Sequence, residues 1–484
     1  MSPVNEAKYE ALLRGLEITI LNLQSFNTDN TDFRLDSEYF SKENIRLLNI
    51  LCSNGYRLIS DFSEVTDGIH SSIDYSEDSG INLISATSPK NNVFDLSRQA
   101  FISKKSHFEN SRTALRENDI ILSTVGTIGN CAVVTRSILP ANSDRHVGII
   151  RVDSTMSPFY VSTFLLSKYG KFQTLRESTG NVQLNLFIYK IKSLKIATAS
   201  TLFQFAIEKI IKQSHSILEK SKNTYLKAEQ TLLQELSLFG WKPKDNNKTV
   251  KKISESFGIS GRLDAEYYQP KYDEIEKAII KCTKCSLLGN ILLEIDTGEY
   301  SSAYYYNDEM PGLTFYIRST NIKYGKIDID ENYFVKKKEF CRIAKKGQIV
   351  TARVGSLGVF GEIRSEMDGA VYSDNVLCFS LPKNFIPSVY VLLFNSSFYF
   401  ELIDRLARGS VQQRLNQETL KDLIIPIIDY SRQEKISTLI EKSFNLREQS
   451  EQLLETAKRA VEVAIESNEK KAIEFIASES CGSV

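Results

Sequence analysis

The sequence predicts an α+β protein. Two tandem β-rich α/β modules are joined by long helices that pair as an antiparallel coiled coil about a pseudo-two-fold axis. Three observations predict it. The chain repeats itself at a fixed distance, each repeat runs into a stretch free of proline and glycine, and both of those stretches carry a heptad seam.

The repeat comes first. F-R-L-D-S-E-Y-F at 33–40 returns as G-R-L-D-A-E-Y-Y at 261–268, a shift of 228 from Asp36 to Asp264. D-I-I-L-S-T-V-G-T-I-G at 119–129 returns as Q-I-V-T-A-R-V-G-S-L-G at 348–358, a shift of 229 from Gly129 to Gly358. T-G-N-V-Q at 179–183 returns as R-G-S-V-Q at 408–412, and I-K-S-L-K-I at 191–196 as L-K-D-L-I-I at 420–425, both again at 229. A constant shift across separated motifs marks duplication of a whole module.

The helices come next. Neither Pro nor Gly occurs between residues 181 and 239 or between 427 and 481. Such breaker-free stretches of Lys, Glu, Gln, Ala and Leu favour helix. In the first, Ile207, Ile211, Ser214, Leu218, Ser221, Tyr225, Ala228 and Leu232 alternate in steps of four and three. In the second, Ile436, Ile440, Ser443, Leu446, Leu453, Ala457, Val461 and Ala464 follow suit, with the seam weak at Gln449–Gln452. L-L-R-G-L at 12–16 resembles L-L-Q-E-L at 232–236, so the chain is expected to begin on the tail of a similar helix. The predicted layout is a helical segment at 1–33, a module at 34–199, a spacer helix at 200–240, a linker at 241–261, a second module at 262–429 and a final helix at 430–484.

Composition narrows the function classes. At 484 residues, with 42% hydrophobic and 25% charged residues, the chain has the make-up of a globular protein of several domains. The start M-S-P-V-N-E-A-K-Y-E is polar, and no apolar run approaches the roughly 18 residues of a membrane span. The expected location is cytoplasmic, with no membrane partner. Seven scattered cysteines fit free thiols. Cys282 and Cys285 form one C-x-x-C, but no second pair or His cluster lies near in sequence to complete a zinc site. Lys+Arg and Asp+Glu are both 60, which counts mildly against a protein that holds DNA alone by bulk electrostatics, but not against a reader with local basic patches or one whose partners supply phosphate contacts.

The chemistry-bearing motifs are few. V-G-T-I-G at 125–129 and V-G-S-L-G at 354–358 sit between apolar runs and predict strand–turn–strand, unlike the helix-joining G-x-x-G of a nucleic-acid clamp. No phosphate loop, H-E-x-x-H or Asn-Pro-Pro-Tyr string is present. Within the shared frame, polar residues differ between copies. Thr124 stands where Arg353 stands, and Asp144–Arg145–His146 where Ser373–Asp374–Asn375 stand. Arg with guanine, and Asn or Gln with adenine, are the usual base-edge pairings. Candidate DNA contacts are therefore Thr124, Arg145, His146, Gln183, Arg353, Asn375, Gln412, Gln413 and Arg414, with turn and solvated-loop roles as the alternative.

Taken together, the doubled layout and the motifs R-L-D-S-E-Y-F, R-L-D-A-E-Y-Y-Q-P-K-Y, L-S-T-V-G-T-I-G, S-T-G-N-V-Q-L-N and R-G-S-V-Q-Q-R-L-N resemble the specificity subunit of type I restriction–modification enzymes. The resemblance covers essentially the whole chain. It implies two target recognition domains, each reading half of a split site in double-stranded DNA. It implies helices that space the modules and dock two methylation subunits, with motor-nuclease subunits bound to that core. It places S-adenosylmethionine, ATP and magnesium on those partners, and no cofactor, metal or catalytic residue on this chain. The alternative is a helical scaffold with duplicated binding heads and no restriction role.

Overall fold

The computed structural model describes residues 26, 30, 32–77, 80–97, 99–180, 183–244, 248–300, 305–306, 310–323, 325–328, 333–355, 357–407 and 414–481. The helical segment expected at 1–33 falls largely outside these residues. The chain divides into two compact units, Met1–Glu219 with Arg447–Val484, and Lys220–Leu446.

The first unit is built on a four-stranded antiparallel sheet of β1 (Ser63–Asp67), β2 (Ile120–Ser123), β3 (Cys131–Val133) and β4 (Val147–Val152), in the order β1-β4-β2-β3. All four residues of β2 and all three of β3 are buried, as their unbroken apolar runs require. A smaller sheet takes strands near residues 75, 82 and 100, which lie between β1 and β2 in the chain, and near 141, between β3 and β4. Helix α1 (Pro158–Leu166) starts on a proline, whose fixed φ suits the first turn. Helix α2 (Lys168–Glu177) follows it, and both pack into the core with Leu47, Ile120, Val133 and Ile150.

The second unit has the same plan. Its sheet takes β5 (Glu294–Thr297), β6 (Ile349–Ala352), β7 (Phe360–Glu362) and β8 (Val376–Ser380) in the order β5-β8-β6-β7. The register repeats as well. Val147 pairs with Ser123 in one sheet, and Val376 with Ala352 in the other, each displaced by 229. Helices α4 (Pro387–Phe394) and α5 (Ser397–Leu406) occupy the places of α1 and α2.

The breaker-free stretches form α3 (Thr201–Glu235) and α6 (Tyr430–Glu466), of 35 and 37 residues. In each unit the two helices run antiparallel. In the first, Ser214 meets Ser450, while Ser200 at the start of α3 meets Glu469 just past the end of α6. In the second, Ser221 meets Ser443, and Glu235 pairs with Arg432 at 2.7 Å. The serine crossings are reciprocal. Ser214 Oγ donates to Ser450 O at 2.9 Å and Ser450 Oγ to Ser214 O at 3.0 Å, and both Ser221–Ser443 equivalents measure 2.8 Å. Small side chains let the backbones approach, and each hydroxyl satisfies itself on the facing carbonyl. The weak stretch of the predicted seam is therefore filled by Ser450, buried between Gln449 and Gln452.

One buried amide ties each long helix to its module. Gln204 accepts from the N–H of Ser157 at 2.8 Å and donates to Ala199 O at 2.9 Å. Gln433 accepts from the N–H of Ile386 and donates to Ile428 O, both at 2.7 Å. Every partner is displaced by 229.

The R-L-D motif is a helix-end clamp. Arg34 Nη1 donates to Arg176 O at 2.5 Å and Ser178 O at 2.8 Å, the carbonyls at the end of α2. Arg262 Nη1 donates to Arg405 O at 3.4 Å and Ala407 O at 3.3 Å, at the end of α5. The last carbonyls of a helix lack intrahelical partners and carry partial negative charge, so a cation there is stabilising. Asp36 and Asp264 hold the two guanidinium groups in place. The helices answer in kind. Arg176 donates to Tyr39 O and lies 3.7 Å from the Tyr39 ring centroid, and Arg405 donates to Tyr267 O and lies 4.8 Å from the Tyr267 ring centroid.

Two outcomes are expected. Ser450→Leu overpacks a close helix crossing and should lower the stability of the first unit by about 1–3 kcal/mol, read by urea denaturation with hydrogen exchange followed along α3. Arg34→Ala and Arg262→Ala remove charge-assisted hydrogen bonds and should each cost about 2–3 kcal/mol. The clamp also has a pH signature. Hydrogen bonding to Arg34 and Arg262 holds the Asp36 and Asp264 carboxyls below their usual range. A lowered folded-state value stabilises the fold fully above the unfolded value of about 4, and that stabilisation disappears as pH falls through the lowered value. Asp36→Asn with Asp264→Asn should flatten the stability profile below about pH 4; an unchanged acid limb would show that the clamp carboxylates do not drive it.

Candidate nucleic-acid interface

The described candidate residues lie at one end of the main sheet in each unit. In the first, β2 ends at Ser123 and β4 begins at Val147. The Thr124 N–H donates to His146 O at 3.1 Å, and the Leu186 N–H donates to Thr124 O at 2.9 Å. Leu186 is buried in the core and anchors the segment that follows α2. Thr179 and Asn185 exchange two backbone bonds of 2.9 and 2.8 Å, and Asn185 also bridges Val125. Thr179 and Asn185 are thus the paired ends of a short hairpin beside the V-G-T-I-G turn. Gly180 has φ +136, and a Cβ there would stand 2.2 Å from Gln183 O, so the hairpin needs glycine.

The second unit repeats this frame with different side chains. The Arg353 N–H donates to Asn375 O at 2.8 Å, the Leu415 N–H donates to Arg353 O at 3.0 Å, and Arg414 bridges Val354. The two-residue turns match too. Asp144 Oδ1 accepts from the His146 N–H at 2.8 Å, and Ser373 Oγ accepts from the Asn375 N–H at 3.3 Å.

The candidates differ in what they present. Arg145, Gln183, Asn375 and Arg414 are exposed, and His146 is half-buried with its ring 3.5 Å from Asp144. Thr124 is buried, and its amide and carbonyl both serve the frame. Arg353 is half-buried. Its Nη1 donates to Asp374 O at 3.0 Å, while its Nε is buried with no partner among the described residues. Gln412 and Gln413 lie outside the described residues, as do Asn181 and Val182 of the first hairpin. Among the described residues no group of three or more His, Cys, Asp or Glu is placed to hold a metal ion, and no helix is long and apolar enough to cross a membrane. Cys282 ends a helix and Cys285 opens a strand, and both are free thiols.

Sequence reasoning missed the link between motifs. Arg34 bonds Ser178 O, the residue before the hairpin, so the R-L-D turn fixes where the hairpin leaves α2. It also missed an aromatic pair beside the hairpin. Phe187 and Tyr189 are both exposed, with rings 6.0 Å apart and nearly parallel, and Tyr189 donates to Asp32. Phe and Tyr at 187 and 189 were the available signal, but their places in the second copy hold Asn416 and Glu418, so the repeat gave no cue.

Residues 291–459 match the family model described as type I restriction modification DNA specificity domain. A search of curated proteins found no match. Among solved structures, the S subunit of the type I restriction-modification system from M. genitalium aligns with a TM-score of 0.39 at 12% identity, covering 85% of this chain and 95% of that one. The HsdS subunit from Thermoanaerobacter tengcongensis aligns with a TM-score of 0.28 at 12% identity, covering 86% and 97%. A chain from a structure of type I R-M system assembly and conformational transition aligns with a TM-score of 0.27 at 11% identity, covering 89% and 100%. The matched stretch contains all of β5–β8 and runs into α6, and the first module repeats the frame of that stretch within the same chain.

Proposed function

We propose that this chain is the non-catalytic DNA-reading subunit of a type I restriction–modification complex. Each module reads one half of a bipartite target in double-stranded DNA. Two methylation subunits and motor-nuclease subunits assemble on it from the cytoplasm and bring S-adenosylmethionine, ATP and magnesium.

The observation that carries this reading is one frame with two sets of side chains. Main-chain bonds among 124, 146 and 186, and among 353, 375 and 415, build the same platform twice. Because the backbone makes the platform, the side chains on it are free to differ, and they do. A scaffold with duplicated heads has no need of that difference. Sequence readers require it, since base identity is read by side-chain donors and acceptors.

Arg353 is the residue best placed to test it. One corner of its guanidinium is fixed on Asp374 O, and the half-buried side chain carries further N–H donors of the kind that pair with a base edge or a phosphate. Arg353→Ala should weaken binding of the specific target by about 1–3 kcal/mol and relax one position of one half-site. The check is titration against a library of single-base variants of the methylated target. A uniform loss across the library would make Arg353 a phosphate contact, and no loss would remove it from the interface.

A further inference from the structure

Between Arg34 and Asp36, and again between Arg262 and Asp264, the R-L-D motif carries a leucine that the clamp does not use. Leu35 is 82% exposed and Leu263 is 81% exposed. Solvent would accept a polar residue at either position, yet both copies carry the same large apolar one. The neighbours repeat too. Asp36, Ser37 and Glu38 are exposed after Leu35, and Asp264, Ala265 and Glu266 after Leu263. By contrast Phe33, one place before the motif, has become Gly261 in the second copy.

The element is rigid. The arginine before the leucine is pinned to two helix-end carbonyls, and the aspartate after it is pinned to that arginine. Asp36 also accepts from the Tyr39 N–H at 3.0 Å, and Asp264 accepts from the backbone of Tyr267. The supporting bonds on the arginine backbone come from different residues in each copy. Asn30 Oδ1 accepts from the Arg34 N–H, whereas Ser260 Oγ accepts from the Arg262 N–H. The shape of the turn and its outer face are therefore kept while the means of holding it change.

From this we infer that Leu35-Asp36-Ser37-Glu38 and Leu263-Asp264-Ala265-Glu266 are two equivalent docking elements for one kind of protein partner. That partner presents a leucine-sized apolar socket rimmed by lysine or arginine, and binds as two copies, one per module. The anionic rim repels a phosphate backbone and fits a basic protein surface. A rigid turn with one protruding apolar side chain has little ordering cost on binding, which is the make-up of an anchor residue.

The inference rests on the reading that methylation subunits assemble on this chain, and they are the probe. Native mass spectrometry of the full chain with its cognate methylation subunit should show two subunits bound. Leu35→Ser and Leu263→Ser should each weaken one of the two sites roughly tenfold or more, a size ordinary for an anchor residue, leaving one subunit bound at limiting concentration. The double variant should lose both. Glu38→Lys with Glu266→Lys should weaken both sites and reduce their salt dependence. Retention of target DNA by each variant chain alone should match the parent, which also shows that it is folded. Assembly of two subunits on the double variant at parental affinity would overturn the inference while leaving the proposed function standing. Loss of DNA retention with assembly intact would overturn it in favour of a DNA contact. If the unaltered chain bound no methylation subunit, the proposed function would fail and the inference with it.

Discussion

An arginine on the end of a helix organises each module. Arg34 and Arg262 reach carbonyls at the ends of α2 and α5 that the helices cannot satisfy themselves, and they reach them from 142 or more residues away in sequence. The end of α2 is where the hairpin closed by Thr179 and Asn185 begins. The bond therefore joins the R-L-D turn of each module to the end of α2 or α5, and in the first module it sets the departure point of the segment that carries Gln183. Tyr39 and Tyr267 complete the junction, each taking an arginine from the helix on its ring and on its carbonyl.

Beyond that junction the modules rely on main-chain bonds where they present residues and on side-chain bonds where they hold together. Gln204 and Gln433, and the two serine crossings, are buried and repeated at the same spacing. The turns at 144–146 and 373–375 also repeat, yet their outward residues are Arg145 and His146 in one copy and Asp374 and Asn375 in the other. A net charge of zero is consistent with this division. On the proposed reading, recognition falls to a few groups at one end of each sheet, and non-specific attraction along the DNA falls to other chains.

The repeat, the strand–turn–strand units and the long helices were legible because each depends on residues close in sequence. Ile120–Ser123 and Ile349–Ala352 are short apolar runs followed by glycine turns, and they fold as such. What was not legible depends on distant partners. R-L-D was visible as a motif, but nothing near it in sequence names the carbonyls of Arg176 and Ser178. Ser450 looked like a gap in a heptad because a serine gains nothing from burial alone; it belongs there because Ser214 faces it. Thr124 and Arg353 align by number, yet burial separates them, with Thr124 inside and Arg353 half-buried on Asp374 O. The neutral sum of charges concealed the exposed acidic leucine turns, whose character appears only once the arginine between Asn30 or Ser260 and the aspartate is seen to be consumed by the clamp.

The central claim is that two copies of one frame read two different DNA sequences. The most direct measurement is methylome sequencing of cells that carry this chain together with its methylation partner. The account predicts a bipartite, asymmetric target, two unlike half-sites separated by a gap of unread base pairs. A single continuous palindrome, or no sequence-specific methylation traceable to this chain, would contradict it.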